Sequence, residues 1–173
     1  ILKRTRIPYG KVSLNCGRAS LGYLDKSIEL IKKGFIDCLV TAPISKQAIN
    51  LSGCRYPGHT EYIASSFMVR KFVMMLLNKR IRFSLLTRHI PLSCVFQRLN
   101  RIMLTDNALL THQSLNRLFG IKNPRIVICG INPHASDNGL IGKEEARIIT
   151  PALKMIKDTC GIKIEGPLPA DEA

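Results

Sequence analysis

DNALLTHQSLNRLFGIKNPRIVICG, residues 106–130, changes character halfway along. Residues 106–120 read as an amphipathic helix with Asp106 as its N-cap and Gly120 just past its end, and RIVICG at 125–130 is a short apolar run that reads as a strand. The same alternation recurs on both sides. LGYLDKSIELIKKG (21–34) spaces Leu24, Ile28 and Ile31 on one helical face with Gly34 as terminator, and DCLVTAP follows as a buried strand ended by Pro43. FVMMLL (72–77) and RFSLL (82–86) read as two strands around Asn78-Lys79-Arg80, and KEEARIITPALKMIKDTCG (143–161) reads as a helix kinked or split by Pro151. Helix, strand and polar turn in repetition imply an α/β fold, a mainly parallel sheet with flanking helices.

A chain of 173 residues, 46% hydrophobic and 22% charged, fits one domain or a little more and can bury a core. No stretch has the eighteen or so uninterrupted apolar residues of a membrane span, and the basic start ILKRTR is not followed by the apolar run of a signal peptide, so a cytoplasmic protein is expected. Six cysteines without a CxxC pair suggest neither a zinc ribbon nor a disulfide framework, and most read as small buried hydrophobes. The chain opens on Ile1 and stops after a GPLPAD turn, which reads as an excerpt of something longer.

The formal charge of +14 raises nucleic acid as a partner. No acidic residue lies between Glu61 and Asp106, while Arg70, Lys71, Lys79, Arg80, Arg82, Arg88, Arg98 and Arg101 do. These cations interrupt apolar segments and come with no aromatic stacking platform, which favours a solvated surface over a nucleic-acid site.

Three polar clusters follow predicted strands: TAPISK, TRHIPL and INPHASDNG. Ligands of open α/β sheets sit outside the carboxyl ends of strands, so this placement argues for an active site. His89 and His134 stand in two of these clusters. Two neutral imidazoles there could hold a divalent metal, or each could be an ordinary loop residue; as ligands they are too few, since a catalytic site takes about three from the protein. In GHTEYIA (58–64), Thr60 could cap a helix starting near Glu61, which leaves His59 unexplained. His112, mid-helix, reads as a residue without a role. Lys46 could clamp a phosphate or carboxylate, or simply start a helix. Neither a P-loop nor GxGxxG occurs.

Taken in order, TAPISKQAIN, YPGHTEYIA, LLTRHIPL, ICGINPHASDNGLIGKEE and GPLPAD resemble the 4-hydroxythreonine-4-phosphate dehydrogenase family of pyridoxal phosphate biosynthesis, from about Gly10 to Asp171. The resemblance implies an isocitrate/isopropylmalate dehydrogenase-like fold, not a Rossmann domain, with residues 1–173 as the central part of a two-domain enzyme. It implies homodimers, NAD or NADP as cofactor, and a divalent metal such as zinc, magnesium or cobalt. His59 and Thr60 match substrate-binding positions, His89 and His134 match metal ligands, Asp171 matches an aspartate at the substrate site, and Lys46 matches a lysine of the site. The implied reaction oxidises the C3 alcohol of 4-phosphohydroxy-L-threonine and releases carbon dioxide to leave an aminoacetone phosphate.

The family's third metal histidine belongs to a C-terminal run absent from this sequence, so the chain alone is expected to be catalytically poor. Asn132-Pro133-His134-Ala135-Ser136-Asp137 also departs from the family's NPHAGE, and Glu172 stands where a threonine is usual. Two alternatives accompany this reading: a same-family dehydrogenase acting on phospho-threonate or phospho-erythronate, and a non-catalytic basic binding fragment built on residues 70–101.

Overall fold

Ser13 begins the first helix by turning its side chain back towards the Cys16 amide, and α1 then runs Leu14–Lys32, seven residues longer at its start than the periodicity predicts. One glycine, Gly17, disguises that early portion in the sequence. Gly17 is there for contact: a Cβ on it would lie 2.1 Å from the Ala48 carbonyl oxygen, so the missing side chain lets the next helix press against α1. That helix, α2 (Lys46–Leu51), is capped by Ser45, whose hydroxyl accepts from the Ala48 amide at 3.2 Å. A third, α3 (His59–Ser66), starts behind Gly58, so Thr60 lies inside the first turn and is not the cap. Leu24, Ile28, Ala48 and Ile49 form the buried seam. This is the unit Ile1–Arg70 of a computed structural model that describes residue 7 and residues 9–173; the ILKRTR start lies outside the described residues.

The predicted strand DCLV is not formed: residues 37–40 are irregular and Val40 is 92% exposed. A strand needs a ladder partner, and among the described residues none runs beside it.

The second unit, Lys71–Ala173, contains the strands. β1 (Met74–Leu77) and β2 (Arg82–Leu85) pair antiparallel, because the turn between them is too short for a parallel crossover. Asn78 closes it: its side-chain oxygen accepts from the amides of Arg80 and Ile81, and its own amide donates to the Ile81 carbonyl. After a short 3₁₀ turn (Leu92–Cys94) and α4 (Val95–Arg98) comes α5 (Arg101–Phe119), capped by Asn100, whose side chain accepts from Met103 N at 2.9 Å. Asp106 therefore sits inside the helix and pairs with Lys71 instead of capping; Gly120, at φ +68°, ends it as expected. β3 (Ile126–Cys129) pairs in parallel with β4 (Ile164–Leu168), so the GPL of GPLPAD belongs to a strand and only its end is a turn. The pairing slips where Gly166 crosses the Ile128 carbonyl, a crossing too close for any Cβ.

Among the described residues the sheet is thus two separate pairs, one antiparallel and one parallel, and not a mainly parallel sheet. Leu99, Leu104, Ala108, Ile149, Leu153, Ile156 and Ile164 form the core of this unit. The predicted kink at Pro151 is real: a π turn (Glu145–Ile149) leads into α6 (Thr150–Cys160). Proline has no N–H for the Arg147 carbonyl four residues back, and Arg101 Nη2 supplies a hydrogen bond to that carbonyl at 2.9 Å. All six cysteines are free, but only Cys54 is buried; Cys38 is exposed in the irregular segment, and Cys16, Cys94, Cys129 and Cys160 are intermediate, near the ends of helices and of β3. Among the described residues no helix is long and apolar enough to cross a membrane.

Candidate functional site

The predicted site residues are divided between the units. In the first, His59 is the opening residue of α3 and lines a cavity of about 230 Å³ with Tyr23 and Ser27 of α1 and with Thr41 and Pro43 of the irregular segment. His59 of GHT and the TAP motif, whose Thr41 stands eighteen positions earlier, therefore share one hollow although the strand expected to carry TAP is missing. Thr60 is half-buried beside His59. Lys46 is exposed at the first position of α2 and does not line the hollow. Tyr62, one turn on from His59, donates its hydroxyl to Asp25 of α1 and ties the two helices together. Burial, followed by the Asp25 carboxylate, pushes its phenol up to about 12, so it stays protonated.

In the second unit the ends of β2 and β3 meet at one cavity of about 570 Å³, lined by Leu86 and Thr87 on one side and by Gly130 and Ile131 on the other. The loops bearing His89 and His134 leave from that rim. Asp171 lies in the turn after β4, whose Leu168 carbonyl accepts from Gly130 N at 2.7 Å, so this turn leaves from the same carboxyl end of the parallel pair. His89, His134 and Asp171 are all exposed.

Both histidines have left-handed backbones, φ +49° at His89 and +50° at His134. Around His134 the conformation is sustained through Ala135, Ser136, Asp137 and Asn138, five successive non-glycine residues where L-residues ordinarily visit this region singly. Such a run persists only where its surroundings over-determine it. Gly130 clears space for it, since a Cβ there would lie 2.7 Å from the Ala135 Cα. From the start of the π turn, Glu145, 3% exposed, accepts from the amides of Ile131 at 2.9 Å and Asn132 at 2.8 Å, and from Asn132 Nδ2 at 2.8 Å. Glu144 Oε2 takes the same Nδ2 at 2.9 Å and Lys143 N at 3.0 Å. Burial opposes ionisation of Glu145, but the donors from Asn132 and Ile131 outweigh it and hold the carboxyl below its ordinary value. Asn132 lowers Glu144 as well.

Asn132, Glu144 and Glu145 were not singled out from the sequence as residues that shape the site, although all three lie inside the ICGINPHASDNGLIGKEE run. Gly142, at φ +92° and with no room for a Cβ against Asn132 and Glu144, was the available signal.

As metal ligands, His89 and His134 offer the right donor type, but among the described residues no three His, Cys, Asp or Glu side chains are grouped as a shell. His112 is half-buried in α5 and lines neither cavity. Much of the basic stretch serves the fold: Lys71 pairs with Asp106, Arg82 lies 4.9 Å from the Phe119 ring centroid and Arg88 4.3 Å from that of Phe72.

Comparison with known proteins places this geometry in context. The family described as pyridoxal phosphate biosynthetic protein PdxA matches residues 1–173. A 4-hydroxythreonine-4-phosphate dehydrogenase of Sulfurihydrogenibium sp. is 40% identical over 96% of this chain and 52% of its own length. A putative D-threonate 4-phosphate dehydrogenase of Oceanobacillus iheyensis is 41% identical over 95% of this chain and 49% of its own. The crystal structure of 4-hydroxythreonine-4-phosphate dehydrogenase from Klebsiella pneumoniae matches with a TM-score of 0.85 at 32% identity, over 96% of this chain and 50% of that one. The chain spans about half the length of these relatives.

Proposed function

The chain belongs to the PdxA family, and from that premise we propose that it forms the central part of a two-domain dehydrogenase that oxidises and decarboxylates 4-phosphohydroxy-L-threonine in pyridoxal phosphate biosynthesis. The observation that carries the proposal is 40% identity to a relative of that name across nearly the whole chain, with the five motifs in family order. In this reading the fold is isocitrate/isopropylmalate dehydrogenase-like and the working form is a cytoplasmic homodimer. His59 and Thr60 bind the substrate phosphate beside the hollow walled by Thr41 and Pro43, using hydrogen-bond donors at the start of α3. Lys46 and Asp171 orient the rest of the substrate. His89 and His134 contribute two imidazoles to a divalent cation whose shell is completed outside the described residues. When bound, that cation would polarise the C3 oxygen and stabilise charge during loss of carbon dioxide. When bound, NAD or NADP would supply the acceptor for the C3 hydride.

A second reading keeps the chemistry and changes the substrate to D-threonate 4-phosphate. The equally similar Oceanobacillus relative favours it. Bound metal on the purified chain, measured beside NAD(P) reduction with each phosphorylated acid, separates the two. Binding or turnover of the amino acid alone supports the first, and binding or turnover of threonate 4-phosphate alone replaces it with the second. If neither acid binds or turns over, in the presence or absence of added metal, both readings fail for this chain. His59→Ala is expected to weaken substrate binding with metal content unchanged; loss of metal in that variant would move His59 into the coordination shell.

A further inference from the structure

We infer that Glu145 is the positioning residue that locks the left-handed turn presenting His134, and that Glu144 makes this lock specific for a carboxylate. The inference rests on the reading of His134 as a metal ligand only for its functional consequence; the lock itself stands on geometry.

Five left-handed residues in succession cannot be a local preference, since none of them is glycine and His134, Ala135 and Ser136 gain little from that region. The root of the turn must be fixed from outside. Glu145 does this at two levels: one carboxylate oxygen takes the amides of both Ile131 and Asn132, and the other takes the Asn132 side-chain amide. Three donors from two adjacent residues fix both the path of the backbone and the rotamer of Asn132, whose own carbonyl then accepts from Ala135 N at 3.2 Å inside the turn. Glu145 is buried and lies at the mouth of a π turn that Pro151 helps to create, so it cannot drift with the solvent.

Glu144 supplies the specificity. In Glu145→Gln an amide NH₂ would face the Asn132 NH₂. Asn132 could relieve this by flipping, but its oxygen would then meet the Glu144 carboxylate, which is already oriented by Lys143 N. The single substitution is therefore frustrated. Removing Glu144 as well frees Asn132 to flip and accept from Gln at 145, which predicts that a second loss repairs the first. A side chain that merely filled space at 145 would give no such repair.

The test follows the backbone directly. In the isotopically labelled chain, residues 134–138 should give the strong intraresidue amide-to-Hα contacts of left-handed backbone. Glu145→Gln should lose them, and Glu144→Ala/Glu145→Gln should regain them at least in part. Zinc binding at His134, read from its own imidazole resonances, should weaken about 10- to 100-fold in the single variant, the range for removing an outer-shell partner, and recover in the double. Retention of the contacts in Glu145→Gln, or a double variant further from wild type than the single, would overturn the proposal. If Glu145→Gln does not fold, Asn132→Ala removes one of the three donors and should weaken the same contacts; unchanged contacts there would equally overturn it. Zinc affinity unchanged in His134→Ala would defeat the ligand reading of His134 while leaving the amide contacts to decide the role of Glu145.

Discussion

Gly17→Ala sets two effects of opposite sign against each other. In an isolated helix, alanine for glycine stabilises by about 1 kcal/mol. In α1 the added methyl would lie 2.1 Å from the Ala48 carbonyl oxygen and 2.5 Å from its carbon, both backbone atoms that no rotamer change can remove. Restoring an ordinary 3.4 Å contact requires a shift of about 1.3 Å between α1 and α2. Ala48 and Ile49, at 5% and 1% exposure, would lose their fit, and overpacking of this kind costs about 1–3 kcal/mol, more where backbone must move. The clash should win, for a net loss of about 1–2 kcal/mol. For a unit of this size that corresponds to a fall in Tm of roughly 4–15 °C. The chain has no tryptophan, and its four tyrosines, Tyr9, Tyr23, Tyr56 and Tyr62, all lie in the first unit, so tyrosine fluorescence during urea or thermal unfolding reads the affected unit selectively. Because α2 opens with Lys46, the same shift should displace that amine. A variant more stable than wild type would mean that propensity governs here and that α1 and α2 do not touch through Gly17.

Three further outcomes are expected. Ile156→Ala, at a side chain with 0% exposure in the core of the second unit, should cost about 2–5 kcal/mol, measured by urea unfolding followed by circular dichroism. Arg101→Met should destabilise by about 0.5–1.5 kcal/mol in wild type and by much less in a Pro151→Ala background, where the Arg147 carbonyl regains a helical N–H; equal losses in both backgrounds would show that Arg101 does not act through that carbonyl. Glu29 has its carboxyl lowered from 4.5 to about 2 by hydrogen bonds from Lys26 and Lys33 and by their charges. A depressed folded-state value means the contribution is present above pH 4.5 and is lost as pH falls towards 2. Glu29→Gln should therefore flatten the acid limb of tyrosine-monitored stability in that window, an effect that shrinks in high salt; an unchanged limb would remove the ion pairs from the account.

The parts of the fold legible in sequence were those whose signals are local. Gly120 and Gly161 end α5 and α6 at φ +68° and +62°, where a terminating glycine is a direct readout of a left-handed cap. RIVIC, MMLL and RFSL are apolar enough to be strands anywhere, and the proline in 143–161 had to disturb its helix. Their pairing was not legible, because parallel or antiparallel is decided by what lies between strands: four residues between β1 and β2 force a hairpin, while α6 stands between β3 and β4. The start of α1 was hidden by Gly17, a residue that lowers helix propensity and is nevertheless chosen for close packing against α2. DCLV failed for the complementary reason, having strand composition without a partner to accept its hydrogen bonds.

The candidate site divides along the same line. Motif order marked His59, His89 and His134 as residues of interest, since histidine beside glycine at a helix start, or near proline after a strand, is visible in one dimension. What makes these positions usable is not. A left-handed run of five residues at about 1–2 kcal/mol each is a cost of roughly 5–10 kcal/mol, and it must be offset by contacts that the sequence distributes over a dozen positions. Three hydrogen bonds to the ionised Glu145, at about 1.5–3 kcal/mol each, are of the right size to meet it. The departure from the family's NPHAGE bears on this balance. Ser136 and Asp137 replace a glycine and a glutamate within the run, and glycine is the residue that would adopt a positive φ without strain. With serine at φ +72° this chain holds more strain at the turn than the family pattern would, so it should depend more heavily on Glu145. Ser136→Gly should accordingly lessen the effect of Glu145→Gln on the turn; if both backgrounds respond alike, the strain is not borne at residue 136.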